Sequence, residues 1–147
     1  MSVLADTNIL LRSAQPDHPL CSLANKAVSS LLRKNEIVYF CPQNIAEFWN
    51  VATRPQGVNG LGMSHEQALT EVENIEGLLT LLPESPGIYR EWKRLVRNHR
   101  VQGIKVFDAR LVAIAHTYGI DSILTFNASD FRRFGEITVL DPAALVL

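Results

Sequence analysis

Five short runs, SVLA, IVYF, LLTLL, SILTF and ITVL, punctuate the chain, and none of them alternates apolar with polar residues. A strand that is apolar on both faces must be covered on both faces. That is the habit of mostly parallel sheets with helices packed on either side. The intervening segments supply such helices. In HPLCSLANKAVSSLLRKN, residues Leu20, Leu23, Ala24, Ala27, Val28 and Leu31 recur at helical spacing, and Pro19 suits a first turn. QNIAEFWNVATR is a second helix, stopped by Pro55 and followed by the glycine-rich loop PQGVNGLGMS. Ser64 and Gln67 form a capping box for a third helix, through about Gly77. Ser85-Pro86 opens the basic helix IYREWKRLVRNH, and KVFDARLVAIAHTY runs to a stop at Gly119. With 147 residues and no long linker, the chain is expected to form a single domain over residues 1–147, of α/β class with a short, mostly parallel five-stranded sheet.

The charge pattern is uneven. No Lys or Arg occurs between Pro55 and Tyr89, whereas Arg90, Lys93, Arg94, Arg97, Arg100 and Lys105 follow closely. That basic run is either a solvated face or a surface for phosphates. The net charge of −1 neither demands nor forbids a polyanionic partner. Cys21 and Cys41 make no disulfide framework or zinc pattern, which suits a reducing cytosol. No signal-peptide pattern is visible, and the longest charge-free apolar stretches, such as Leu111 to Ile120, are too short to span a bilayer. The expected location is therefore cytoplasmic, with no membrane partner. His18, His65, His99 and His116 show no triad or ligand spacing.

Four carboxylates stand out. Asp6 follows the first apolar run directly. Burying a carboxylate there costs several kcal/mol or more unless something compensates. As a helix N-cap it would share the work with Thr7 and Asn8, two further good caps for one or two positions. Asp108 leads an apolar stripe through Leu111, Val112 and Ala115. It serves either the helix dipole, worth about 0.3–1 kcal/mol, or a charged cluster. Glu47 shares a polar stripe with Asn44 and Arg54, and Asp130 lies in TFNASDF, where it could cap a one-turn helix DFRRF. Taken together they mean more. In a parallel sheet, sites form outside the carboxyl ends of the strands, and these four acids can converge there. Two like charges about 4 Å apart repel by several kcal/mol at an effective dielectric of about 20. Such a cluster calls for cations, and an all-oxygen donor set favours Mg²⁺ or Mn²⁺ over zinc.

Asp6-Thr7-Asn8, Glu47 in AEFWNVATRP, Asp108 in FDARLVAIA and Asp130 in LTFNASDF resemble, in order and interval, the acidic quartet of PIN-domain nucleases. The length is most similar to VapC-type toxins of bacterial toxin–antitoxin pairs. The resemblance implies an α/β/α sandwich, Mg²⁺- or Mn²⁺-dependent RNA cleavage, a homodimer and a small cognate antitoxin that blocks the site. It implies metal held by Asp6 and Asp108, with Glu47 and Asp130 positioning water or a second ion. Thr7, Asn8 and Thr125 offer supporting hydrogen bonds, and Arg54 would guide the RNA backbone. Asn127 stands where many members carry another Asp; it can orient a water or ligand but brings no charge. Trp49 and Trp92 either pack in the core or stack bases. Phe48, Trp49 and Val51 are expected to flank the crevice as an apolar surface for a partner segment.

Two other classes use related layouts. A phosphatase of the haloacid-dehalogenase type resembles an Asp-x-Asp pattern, but Asn8 holds the second position. A response-regulator receiver would want an acidic pair near the first strand and a later strand-end Lys, and neither is present. A non-catalytic binding module would be marked by loss of quartet charge, and the quartet is intact.

Overall fold

The central strand of the sheet is the first one. A computed structural model describes residues 1–146 and contains β1 (Ser2–Ala5), α1 (Thr7–Ser13), α2 (Cys21–Arg33), β2 (Ile37–Phe40), α3 (Pro42–Thr53), α4 (His65–Leu78), β3 (Thr80–Leu81), α5 (Pro86–Asn98), α6 (Val106–Thr117), β4 (Ser122–Leu124) and β5 (Thr138–Leu140). The strand order is β3-β2-β1-β4-β5, and every neighbouring pair is parallel, with Leu4 opposite Tyr39 on one side and Ile123 on the other. Because successive side chains point to opposite faces, Val3 and Ala5 enter one core with Ile9, Leu31 and Phe48 from α1, α2 and α3. Leu4 enters the other with Leu95 and Ile114 from α5 and α6. The sheet is a sandwich filling, as its unalternating strands require.

The chain steps from β1 to β2 to β3, then returns through α5 and α6 to β4 on the far side of β1. The order thus reverses between β1 and β4. Outside the carboxyl ends of these two strands lies the crevice in which such sheets bind ligands. Among the described residues, no helix is long and apolar enough to cross a membrane.

Several local expectations shift. The sequence pattern provides five helices; the structure adds α1, only seven residues long, immediately after Asp6. Its Ile9, Leu10 and Leu11 are all buried, so the short element reads as continued apolar chain and carries too few turns to reveal a helical period. LLTLL is not a strand throughout. Leu78 ends α4 and the Leu79 amide donates to Ile75 O at 2.8 Å, leaving two residues for β3. The turn near DFRRF falls earlier, over Ala128–Asp130, so Asp130 ends it rather than capping a helix. Phe48 is fully buried, not a partner surface, and Trp49 and Val51 pack against the same core. Trp92 donates Nε1–H to Val106 O at 2.9 Å, tying α5 to the start of α6.

The glycine-rich loop closes the end of α3. Amides of Leu61, Gly62 and Met63 donate to Val51 O, Arg54 O and Ala52 O at 3.0, 2.9 and 2.8 Å, satisfying carbonyls that a helix end leaves open. At Gly60 a Cβ would lie 1.8 Å from Arg54 O, whereas one at Gly57 would meet open space. Chemical denaturation should therefore find Gly60→Ala destabilised by about 2 kcal/mol or more, as overpacking against backbone predicts, and Gly57→Ala within about 0.5 kcal/mol of the parent.

Candidate active site

Asp6 sits where β1 becomes α1, and its carboxylate is bonded on both oxygens. Oδ1 accepts the Thr7 amide at 2.7 Å and Oδ2 accepts the Thr125 hydroxyl at 2.8 Å. The Asp6 amide donates to Leu124 O at 2.9 Å, so the β1–β4 ladder itself sets the position of the acid. It is the most buried of the four carboxylates, with 9% of its surface exposed. Burial is the main cause that pushes its pKa to about 6; Thr125 and Thr7 oppose the rise, and the charges of Asp108 and Glu47 add to it.

Glu47, on α3, is reached through Thr7. The Thr7 hydroxyl donates to Glu47 Oε1 at 2.8 Å and accepts from Asn44 Nδ2 at 3.1 Å. Asn44 is fully buried and its Oδ1 accepts the Cys41 amide at 2.9 Å. The sequence pattern puts Asn44 on a solvated stripe beside Glu47. In the fold it is the inner end of a relay, Cys41–Asn44–Thr7–Glu47, that fixes the carboxylate between α1 and α3. Its only sequence signal is its position three residues after a helix cap, where it completes a capping box.

Thr125, just past β4, accepts two further bonds on its hydroxyl, from Asn8 Nδ2 at 3.3 Å and the Asn127 amide at 2.9 Å. Asn127 thereby contributes its backbone, with its side chain exposed. Asp108, in the first turn of α6, is half-buried and also pushed to about 6, by burial first and the nearby Asp130 second, with Lys105 opposing and Glu47 adding. Asp130 accepts from Lys105 Nζ at 2.7 Å, and the same ammonium is 4.0 Å from Asp108 Oδ2.

Glu47, Asp108, Asp130 and Lys105 line an open cleft of about 560 Å³ together with Gln43, Asn50 and Phe107. A larger groove of about 630 Å³ between α2 and α4 gathers no comparable charge set: Glu71 and Glu73 are its only ionisable lining residues. The charged acceptors of the cleft are all carboxylates, the hard oxygen ligands that divalent ions of the Mg²⁺ class take. Lys105 already stands between Asp108 and Asp130 as a surrogate cation. Arg54 is elsewhere: its Nη2 donates to Asn59 O at 2.9 Å within the glycine-rich loop.

A second charged group lies apart from the cleft. Donor atoms of Glu91, His116 and Glu136 all approach within 4.8 Å of one another. Arg94 fills that space, bonding Glu91 Oε1 at 2.5 Å and Glu136 Oε2 at 2.6 Å, so the group is an ion-pair network holding α5, α6 and the approach to β5 together. The basic helix thus commits Arg94 to the protein rather than to a ligand.

Comparison with known proteins agrees with this geometry. The family model described as "PIN domain" matches residues 3–137. A curated relative, Ribonuclease VapC48 of Mycobacterium tuberculosis, is 28% identical over 147 residues, covering 97% of this chain and 98% of that protein. Among solved structures, VapBC2 from Rickettsia felis bound to a promoter DNA fragment matches with a TM-score of 0.71 at 17% identity, over 96% of this chain and 98% of the other. VapBC-1 from nontypeable Haemophilus influenzae gives 0.69 at 17%, over 97% and 99%. M. tuberculosis VapC20, described as a sarcin–ricin-loop-cleaving toxin, gives 0.60 at 14%, over 82% and 86%. At these identities the structures share the fold.

The raised pKa of Asp108 has a definite sign for stability. Its folded pKa of about 6 lies above the ordinary 3.8, so the folded state holds the proton more tightly. The contribution to stability is fully present below about pH 4 and is lost as pH rises to about 6. In metal-free protein Asp108→Asn should therefore raise the melting temperature at pH 7.5, a stabilisation that solvent screening holds to on the order of 1–2 kcal/mol, and the gain should vanish by about pH 4. Thermal melts at the two pH values, without divalent ions, decide it.

Proposed function

The chain belongs to the PIN-domain family, and from that membership and the acidic cleft we propose that it is a VapC-type toxin, a divalent-metal-dependent endoribonuclease. The observation that carries the reading is that Glu47, Asp108 and Asp130 line one cleft at the β1–β4 switch point, with Asp6 behind it near enough that the charges of Asp108 and Glu47 raise its pKa. The relative named as a ribonuclease supports RNA as substrate, and the VapBC structures support a small antitoxin as partner. We further assign it to the cytoplasm, as a homodimer, with Mg²⁺ or Mn²⁺ as the ion.

In this reading Asp6 and Asp108 hold the ion, and Glu47 and Asp130 complete its surroundings. A bound divalent ion supplies Lewis-acid polarisation of the scissile phosphate and makes an attacking water more acidic. The protein does the rest. Thr125 and the Thr7 amide fix both oxygens of Asp6, so the acid has one orientation. The Thr7 hydroxyl aims Glu47, whose free oxygen can take the proton that water gives up as it attacks phosphorus. Asn8 and Asn127 steady Thr125 and act on the substrate only through it. Arg54 belongs to the loop that closes α3 and is released from the substrate-guiding role. The Asn8 side chain is engaged with Thr125, which is not the disposition of a phosphatase's second acid.

Incubation with total cellular RNA should give discrete new ends with Mg²⁺ or Mn²⁺ and none with a chelator. Asp6→Asn and Asp108→Asn should each cut the rate by about a hundredfold or more, a loss of several kcal/mol of transition-state stabilisation. Expression of the chain alone in a bacterium should stop growth. Either variant, or co-expression of a short neighbouring reading frame, should restore it. Intact RNA under all metal conditions, with harmless expression, would overturn the assignment.

A further inference from the structure

Of the residues lining the cleft, Lys105 is the one cation. It ends the turn Gly103–Lys105, entered through Gly103 at φ 62°, and stands three residues before Asp108 at the head of α6. Its ammonium is shared by two of the four acids, at 2.7 Å from Asp130 Oδ1 and 4.0 Å from Asp108 Oδ2. The side chain is 43% exposed, and these acids are the only ion-pair partners it has among the described residues. Arg94, by contrast, is bonded to Glu91 and Glu136 and is committed to the structure. Lys105 is thus a point charge on a long stem, held where a second cation would compete for the same oxygens.

We propose that Lys105 changes partners during the working cycle: it is the counter-ion of Asp108 and Asp130 in the metal-free protein and a phosphate-positioning residue for the RNA once a divalent ion has taken those carboxylates. This rests on the metal-dependent nuclease reading above. A divalent ion and an ammonium compete for the same acids, and their like charges repel. The acids cannot hold both at full strength, so the gain of one is the release of the other. The released ammonium stays tethered at the mouth of an open cleft, within reach of the only polyanion that must enter it. A phosphate, as a diffuse anion without directional donors, is well served by a compact cation of this kind. Lys105 therefore raises the metal concentration at which the site fills and couples filling to substrate retention.

The two halves of the proposal move in opposite directions, which a merely structural lysine would not produce. Mn²⁺ binding to the full-length protein should be measured by calorimetry at fixed ionic strength for the parent, Lys105→Met, Lys105→Arg and Asp108→Asn. Steady-state cleavage of one RNA oligonucleotide should be measured at saturating Mn²⁺ for the first three. Loss of one like charge from the site should tighten Mn²⁺ binding to Lys105→Met by about five- to tenfold. Loss of one phosphate contact should raise its KM for RNA by a similar factor, about five- to tenfold, with kcat within about threefold of the parent. Lys105→Arg should keep both parental values within about threefold, since the charge is retained. Unchanged or weaker Mn²⁺ binding to Lys105→Met, or an unchanged KM, overturns the proposal while the parent still binds metal and cleaves. If the parent binds Mn²⁺ no better than Asp108→Asn does, the metal reading falls and this proposal with it.

Discussion

A carboxylate at the end of a doubly covered strand sets the terms for everything around it. Asp6 is drawn out of water because β1 is central and Val3, Leu4 and Ala5 are wholly buried. Its two oxygens are answered by one backbone amide and one hydroxyl, and neither neutralises the charge. The remaining cost appears as a pKa near 6. Each nearby element takes its place in relation to that acid. α1 begins on it, Thr125 reaches back to it from β4, and α3 meets it through Thr7. The site thus stores unfavourable electrostatic free energy that a neutralising group would release.

Much of this was legible in the sequence, and the physical reason differs by element. Parallel strands covered on both faces leave an unalternating apolar signature, so the sheet and its class could be read directly. Asp6 and Asp108 could be read because charge at the end of an apolar run, or at the head of an apolar helix stripe, contradicts its surroundings. What could not be read depended on contacts across long stretches of chain. The Asn44–Thr7 bond joins residues 37 apart, and Lys105 meets Asp130 25 residues away. A polar residue on an amphipathic helix looks solvated until its neighbour is known, and Phe48 looks exposed for the same reason. Arg54 reads in sequence as a basic group beside the site, yet it bonds the loop carrying Gly60 and Gly62, whose packing is invisible in one dimension.

Two kinds of charge management coexist in this small fold. The Glu91–Arg94–Glu136 network is closed among its own residues, with His99 and His116 also within reach of its acids, and ties α5 to the approach to β5. The cleft is lined by three acids, Glu47, Asp108 and Asp130, and its single lysine reaches only the last two. The first cluster joins packed elements, whereas the second borders an open cleft.

The sheet's two ends are as telling as its middle. β3 contributes two residues and β5 three, and Pro142 stands two residues beyond the end of β5. An edge that short presents very few unpaired amides and carbonyls, and proline can supply no donor to extend it. The strands therefore give little template for a sixth, whether from another copy or from an unfolded chain. Strand addition is disfavoured at both edges, and runaway edge-to-edge aggregation has almost nowhere to start.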